Sequence, residues 1–435
     1  MTFRLAYFSP LRPVQSGISD YSADLLPYLA ERFDTCLVTD HYQPIMTGKL
    51  AHLPIMNPEE FMRRRSDFFP CYQMGNSVYH QYMLACMKAN PGLLTLHDVN
   101  LRGLFNFLAA RRAVPEGWYI PGPGSEPELN SPCVNNALGV AVHSNYAVSL
   151  LCRKYPGLNI GKIDMGVAAP PAIDQQLARA QLGIGSTEFA IGSFGHIIPK
   201  KRIHVVLAAF AVFSSIYPQA RYYLVGKSAE YYPLEIVRQL SLEGKVVITG
   251  YANTELFNKY LHAMDVCVNL RYPDDGETSA TMIRAFAAAK PVLYTPSGSG
   301  AELPSGIALP IPPNSSEAAL ITATLARLCN EPLIGKLIGE KARRYYDANH
   351  LPEKAAANYI RMITSISSAS GAGGAGDCRD GNRGGRSSGA IFDHTVAGQR
   401  GNKADFVHNG GNGSENRSGS AGDSGSVRRP WYRVL

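Results

Sequence analysis

Between residues 188 and 347, short runs of branched and aromatic side chains alternate with amphipathic stretches long enough to be helices. The pattern predicts strands over residues 189–194, 221–225, 246–249, 265–270 and 291–295, and helices over 203–216, 234–242, 254–263, 281–289, 317–329 and 333–347. Such alternation calls for a parallel sheet wound with helices on both faces, a Rossmann-like domain. The first half alternates less cleanly but begins in the same way. Strands are predicted there over 4–8, 35–38, 71–74, 93–96 and 140–143 and a helix over 22–30, so a second α/β domain is the economical reading. Between the halves, Pro170 and Pro171 within residues 165–172 interrupt regular structure and provide a linker. A ligand is then expected between the two domains, at the carboxyl ends of the strands.

The rest of the sequence narrows the function classes. Its 42 Lys and Arg against 35 Asp and Glu leave a formal charge of +7 over 435 residues. That is far below the density of a nucleic-acid coat, so no nucleic-acid partner is expected, while anionic ligands stay open. Eight cysteines form no Cys-x-x-Cys pair and have no His-rich companion, which argues against a zinc site or a disulfide framework and fits the cytosol. The opening residues read as a strand rather than a secretory leader. The longest apolar stretch, residues 205–213, is about half of the ~20 residues that a spanning helix needs. Beyond residue 370 the composition changes: 16 of the 41 glycines fall in the last 65 residues, and this tail is expected to be disordered. It opens on Gly371-Ala372-Gly373-Gly374-Ala375-Gly376, a literal dinucleotide fingerprint with no predicted strand before it or helix after it, and is read as coincidence. The basic end, Arg428 to Arg433, is read as a solvated terminus, with a short docking peptide as the alternative.

Three strand-to-helix corners bring glycine and charge together. Residues 9–21 follow the opening strand and carry Gly17, where backbone can approach an anion and a helix N-terminus supplies unpaired N–H groups. An ordinary flexible loop is the plainer alternative. The second corner, residues 192–202, places Gly195 and His196 before Lys200, Lys201 and Arg202. Three cations at a helix N-terminus oppose its dipole. Either a phosphate lies nearby, neutralised by these side chains and free amides, or the turn is simply solvated. The third corner turns on Asp275-Gly276 and offers Thr278 or Ser279 as a helix cap. Glu277 there can hydrogen-bond sugar hydroxyls while adjacent amides hold phosphate, or serve only as a first-turn acid. In the first half, Tyr72 to Asn76 and Thr95 to Asp98 end apolar strands in polar residues, with His80 close behind. Such ends point into the ligand crevice of an α/β domain, and His97 beside Asp98 is the candidate for chemistry. The sequence has no Asp-x-Asp, P-loop, His-Glu-x-x-His or nucleophile elbow, and no metal site is expected.

Taken together, these segments resemble the retaining glycosyltransferases of family four, the group 1 glycosyltransferases of GT-B fold, over about residues 3–365. The likeness is carried by Pro13-x-x-Ser16-Gly17-Ile18-Ser19-Asp20-Tyr21, Gln73-Met74-Gly75-Asn76 with His80, Leu96-His97-Asp98, and Ala141-Val142-His143-Ser144-x-Tyr146. In the second half it is carried by Gly195-x-x-x-Pro199-x-Lys201-Arg202, Thr249-Gly250-Tyr251, Asn269-Leu270-Arg271-Tyr272-Pro273, Gly276-Glu277-Thr278-Ser279 and Ala301-Glu302-Leu303-Pro304. The resemblance implies an α/β fold of two facing Rossmann-like domains with a cleft between them. An acceptor domain would span 1–168, a nucleotide-sugar donor domain 169–348, a helix crossing back to the first domain 349–366, and the tail 367–435. The implied reaction moves a hexosyl group from a nucleotide-sugar, UDP- or GDP-linked most often, to a saccharide or lipid-linked saccharide in polysaccharide or cell-envelope glycan biosynthesis. Configuration is kept, no metal or other cofactor takes part, and positioning and electrostatics supply most of the catalysis. On this likeness His97, Lys201 and Glu277 are catalytic. Gly17, Gly195, His196, Lys201, Arg202, Gly250, Tyr251, Glu277, Thr278 and Ser279 bind the donor, and Asp20, Tyr21, Asn76, His80 and Asp98 lie on the acceptor side.

Two departures stand out. Many members carry two Glu eight residues apart around the helix after the sixth strand; here Gly276 and Arg284 hold those positions and Glu277 comes one residue late. His196 replaces a commonly basic residue. Two further readings are a nucleotide-sugar-binding protein without turnover and a sugar-nucleotide epimerase. Residues 59–69 and 101–112 mix apolar faces with clustered Arg, a pattern suited to peripheral contact with an anionic membrane or, equally, to ordinary surface helices. The expected location is the cytoplasm, including the inner face of its membrane.

Overall fold

Two parallel sheets carry the chain, each drawing its strands from the apolar runs of one half. A computed structural model describes residues 4–116, 118, 129–228 and 232–372. The first sheet has the order β3-β2-β1-β4-β5-β6-β7, with β1 Arg4–Phe8, β2 Asp34–Val38, β3 Ile55–Met56, β4 Phe69–Met74, β5 Leu93–Leu96, β6 Gly139–Val142 and β7 Ile160–Lys162. The second has the order β10-β9-β8-β11-β12-β13, with β8 Phe189–Phe194, β9 Ala220–Val225, β10 Val246–Gly250, β11 Val266–Asn269, β12 Val292–Tyr294 and β13 Leu309–Pro310. Every pairing within the sheets is parallel. Parallel strands are covered on both faces and must be apolar along their whole length; β5, Leu93-Leu94-Thr95-Leu96, is buried throughout.

The first sheet is covered by α1 Gly17–Ala30, α2 Pro58–Arg64, α3 Met83–Ala89, α4 Arg102–Ala110, α5 Ser131–Val134 and α6 Asn145–Lys154. Around the second lie α7 Gln175–Leu182, α8 Ile203–Ile216, α9 Leu234–Gln239, α10 Thr254–Ala263, α11 Ala280–Ala287, α12 Glu317–Asn330 and α13 Pro332–Asn349. Their starts are written in the sequence: Ser16, Asn57, Ser144, Asp174, Asn253 and Ser279 each accept a first-turn N–H on the side-chain oxygen, the usual cap of orphan donors. The expected α/β architecture is the one observed, and the runs 189–194, 203–216 and 254–263 keep their predicted bounds. Strands β3, β7 and β13 were not foreseen. Two or three residues carry no periodicity, so only their pairing partners define them.

Helix α14, Pro352–Ala372, leaves the second sheet and packs on the first. Tyr21 Oη donates to Tyr359 Oη at 3.0 Å, and Tyr359 in turn donates to Thr95 Oγ1 at 3.1 Å. Small residues make the seat: a Cβ on Gly139 would crowd Ile366 at 2.6 Å, and one on Gly166 would meet Ala355 at 2.7 Å. The linker is fixed at the same junction, where Val167 N donates to His350 O and Tyr346 Oη to Val167 O. One core cluster therefore runs from Leu5 and Tyr7 through Tyr359 and Ile363 to Phe286 and Val292.

The two arginine-rich segments spend their apolar side chains inside. Phe61 is buried against Phe8, Phe68 lies beneath the Arg4 guanidinium, and Leu104, Phe105 and Leu108 of α4 are buried, leaving Arg63, Arg64, Arg65, Arg111 and Arg112 outside. Among the described residues no helix is long and apolar enough to cross a membrane. Gly371 and Ala372 end α14, so a helix precedes the fingerprint-like string. The rest of that string, the Gly/Ser-rich tail and the basic end lie outside the described residues.

Candidate active site

Strand order reverses between β1 and β4 in the first sheet and between β8 and β11 in the second. These are the switch points where an open α/β sheet leaves a crevice at its carboxyl ends. All three glycine corners and both polar strand ends start from these strands or their neighbour β5.

On the N-terminal side, a chain of neutral hydrogen bonds runs under the crevice. His143 Nδ1 sits 2.8 Å from the Ile163 carbonyl, which can only accept, so this nitrogen carries the proton. His143 Nε2 is then an acceptor, taking the proton of His97 Nδ1 at 3.2 Å. His97 Nε2, 2.9 Å from the Gln73 carboxamide, is left as an acceptor and is satisfied when that amide turns its NH2 group toward it. Burial pushes the His97 pKa well below the usual value, helped by the neighbouring histidines, and pushes that of His143 down to about 4. His97, expected beside the reacting centre, is thus a buried neutral ring with both nitrogens engaged, and Tyr21 meets it edge-on at 4.8 Å.

The other acceptor-side candidates tie neighbouring loops together. Asn76 N donates to Asp98 Oδ2 at 2.9 Å, and Asn76 Oδ1 accepts from Leu104 N at 3.0 Å. Burial raises the Asp98 pKa to about 6, the Asn76 N–H opposing it and Glu277 adding to it. His80 is buried, its Nδ1 at Ser77 and its Nε2 without a partner, and burial lowers its pKa to about 4. Gly17 opens α1, and a Cβ there would meet nothing within 4 Å, so the N-terminus of this helix stays open. Asp20 faces the second domain: it accepts from Arg12 at 2.9 Å and lies 3.8 Å from Arg284.

The C-terminal side is charged. Lys200 pairs with Asp275 and with Glu277 at 2.7 Å, while Arg202 is held by the buried Glu317 of α12. Two of the three clustered cations thus have protein carboxylates as partners. Lys201 has none among the described residues. Its Nζ donates to the Phe194 carbonyl at 2.5 Å and lies 3.0 Å from the place a Gly195 Cβ would occupy. Burial, with Arg271 adding to it, pushes its pKa well below the lysine value. Gly195 has φ +80°, a conformation that favours glycine.

Glu277 is gripped from two sides, by Lys200 and by Arg271 at 3.0 Å, and its other oxygen accepts from Asp275 N. Burial raises its pKa, but Arg271 and Lys200 prevail and hold it below the usual value. Ser279 caps α11 and bonds Arg271 and Asn269. Beside it, between the ends of β11 and β12, is a polar cavity of about 30 Å3, room for about one water. Thr278 Oγ1, Arg271 Nε and Asp274 Oδ2 are buried on this loop without partners. Gly250 ends the edge strand β10 and the exposed Tyr251 follows it, and His196 is exposed beside Lys201.

The sides meet. Asn100 N donates to Asp275 O and Asn100 Nδ2 to Asp275 Oδ1, both at 3.2 Å, while Glu302 accepts from the first N–H groups of α6. Arg284 reaches Asp24 at 3.5 Å, and Asp24 also accepts from Ala168 N of the linker. Sequence reasoning did not assign Gln73, His143, Arg271, Asp275 or Glu302 to the site. Gln73, His143, Arg271 and Glu302 lay inside the strings that carried the family likeness, which was the available signal.

Residues 188–330, which hold the charged side from β8 to α12, match the family described as glycosyl transferases group 1. Among solved structures the chain is similar to sucrose-phosphate synthase from Thermosynechococcus elongatus, with TM-score 0.63 and 18% identity over 84% of this chain and 100% of that one. It is also similar to HepE from Anabaena in complex with UDP-glucose, with TM-score 0.60 and 15% identity over 83% and 99%. A third is WaaG, a glycosyltransferase involved in lipopolysaccharide biosynthesis, with TM-score 0.57 and 14% identity over 83% and 99%. These likenesses show the fold, which is GT-B. No curated protein matches the chain by sequence.

Proposed function

We propose that the protein is a retaining, metal-independent glycosyltransferase that moves a hexosyl group from a nucleotide-sugar to a saccharide or lipid-linked saccharide in cell-envelope glycan assembly. The observation that carries this reading is Lys201. A half-buried ammonium costs free energy unless an anion meets it, and this one, beside the Gly195 turn, has only a carbonyl. A nucleotide diphosphate leaving from that turn supplies the missing charge, restores the lysine proton affinity and is stabilised most as its own charge develops. Gly17, at the open start of α1, adds N–H groups from the other side. Glu277, Thr278 and Ser279 hold the sugar, with Thr278 Oγ1 as a hydroxyl in need of a partner. Gly250 and Tyr251 border the base, and Asp20, Tyr21, Asn76, His80 and Asp98 shape the acceptor side. His97 keeps the floor of the centre neutral. The departing phosphate then assists the incoming hydroxyl on the face it leaves. The polar cavity beside Glu277 is too small for a sugar ring, so donor entry requires the loop that carries Glu277 to move. UDP is the favoured nucleotide because HepE, of the same fold, is seen with UDP-glucose. Any membrane contact is electrostatic, through the outward arginines.

A second reading, binding without turnover, is favoured by Arg284, which is occupied by Asp20 and Asp24. Thermal stabilisation by a panel of UDP-, GDP-, ADP- and dTDP-sugars, read beside nucleotide release, separates the two. A ligand at 100 times its Kd adds about 2.7 kcal/mol. Stabilisation with release that Lys201→Ala abolishes supports the transferase; stabilisation without release even with lipid extract supports the binding protein. Unchanged turnover by Lys201→Ala removes the phosphate site from this turn.

A further inference from the structure

A cavity of about 240 Å3 lies on the first domain between α1, the β1–α1 loop and residues 45–50. Ser19, Ala23 and Pro27, spaced four apart, form one face of α1. That face differs from the Tyr21 and Leu25 face in the core and from the Asp20 and Asp24 face on Arg284. Leu11, Ala23, Pro27, Ile45, Met46 and Leu50 make its apolar walls, and Arg12, Ser19, Thr47 and Lys49 complete the lining. Ile45 stands 60% exposed, a large apolar side chain left in water at the rim. Ser19 lines the cavity, is 1% exposed, and its Oγ has no hydrogen-bond partner. The two cations present, Arg12 and Lys49, already have Asp20 and Glu31 as partners. Arg12 also donates to Thr254 of α10 at 3.1 Å, so the cavity adjoins the closed cleft one turn from Gly17.

A saccharide ring, with a hydroxyl on most carbons, would bury more polar groups than this wall can pair. Hydrocarbon carrying a single oxygen matches it, because one buried hydroxyl lacks a partner and six of the ten lining residues are apolar. We infer that this cavity is an aglycone subsite: it takes an aliphatic chain joined through oxygen to the acceptor sugar. The linking oxygen accepts from Ser19 Oγ, and the chain lies on Ile45, Met46 and Leu50. The inference deepens the glycosyltransferase reading and rests on it for the sugar, though not for the binding of the chain.

The test titrates methyl, n-butyl and n-octyl β-glucopyranosides, below micelle-forming concentrations, into the full-length protein by calorimetry. Saturation-transfer NMR reports which ligand protons touch the protein. The expected result is a tightening of at least tenfold from methyl to octyl, with the strongest saturation on the alkyl protons. Ile45→Asp at the exposed rim and Ala23→Leu in the wall each remove that gain and leave stabilisation by UDP-glucose unchanged. Equal affinities along the series, saturation confined to ring protons, or a gain that survives both variants overturns the subsite. If the alkyl gain holds while no nucleotide-sugar binds, the transferase reading falls and the subsite stands. If nucleotide-sugars bind and turn over without any alkyl gain, the reverse holds.

Discussion

On the N-terminal side of the cleft, Gln73, His97 and His143 form a neutral chain with a partner at every step. On the C-terminal side, Lys200, Lys201, Arg271 and Glu277 form a charged cluster in which Arg271 Nε, Asp274 Oδ2 and Thr278 Oγ1 lack partners. Fully satisfied buried networks rigidify and fix geometry, whereas under-satisfied polar groups mark the place where something else is needed. That chain is therefore complete in the empty protein, whereas the charged cluster is complete only with its ligand.

The sharpest break in this contrast is Lys201→Ala. Turnover is expected to fall by about 10²–10³, the loss typical of removing one donor to a developing charge. Nucleotide release measures it. The melting temperature should hold or rise, because the variant removes an ammonium with no carboxylate; a drop would place Lys201 with the satisfied side. Next in size is the acid response. His80 and His143 have pKa values near 4 in the fold against 6.5 when free. Lowered values mean that stability is full above pH 6.5 and is lost as the pH falls toward 4, by about 3 kcal/mol for each ring. Glu277, also lowered, acts only below the ordinary carboxylate range. Urea unfolding from pH 7.5 to 4.5 should thus report the N-terminal side first, with a shallower slope in His80→Gln; an unchanged slope would mean that His80 is no acid sensor.

Asp98 has the opposite sign. Its pKa is about 6 in the fold against 3.8 when free, so its penalty appears as the pH rises from 3.8 through 6. Asp98→Asn keeps an acceptor for Asn76 N and should add about 3 kcal/mol above pH 6 and nothing near pH 4; equal denaturant midpoints at pH 7.5 would contradict this. The smallest effect is expected for Arg284→Ala. Its contacts at 3.5 and 3.8 Å join the two sides rather than build either. Stability should change by about 1 kcal/mol, with a larger radius of gyration by small-angle scattering. An unchanged radius would show that the remaining contacts suffice to hold the cleft shut.

Much of this fold was legible because a parallel sheet writes itself as continuous apolar runs, as in Phe189–Phe194, and an amphipathic helix as a period, as in Thr254–Ala263. The short edge strands at Ile55–Met56 and Leu309–Pro310 exist only through pairing and leave no local mark. The site divided along the same line. Glycine turns and helix caps are local, and Gly195, Gly276 and Ser279 could be read directly. The partners of the three cations could not, since Asp275 is 75 residues from Lys200 and Glu317 is 115 from Arg202. Carboxylates that distant changed a cluster that argued for an anion three times over into one that argues for it once, at Lys201.

The return of α14 to the first sheet bears on how the protein is made. A ribosome releases β1 through β7 early, yet the surface around Tyr21, Thr95 and Gly139 waits uncovered until Tyr359 and Ile366 have emerged. The domain synthesised first is the domain finished last. Nascent chains from which residues up to 350 have emerged should therefore engage holdase chaperones through that apolar face and let go once about twenty more residues emerge, on the order of seconds at ordinary rates of synthesis.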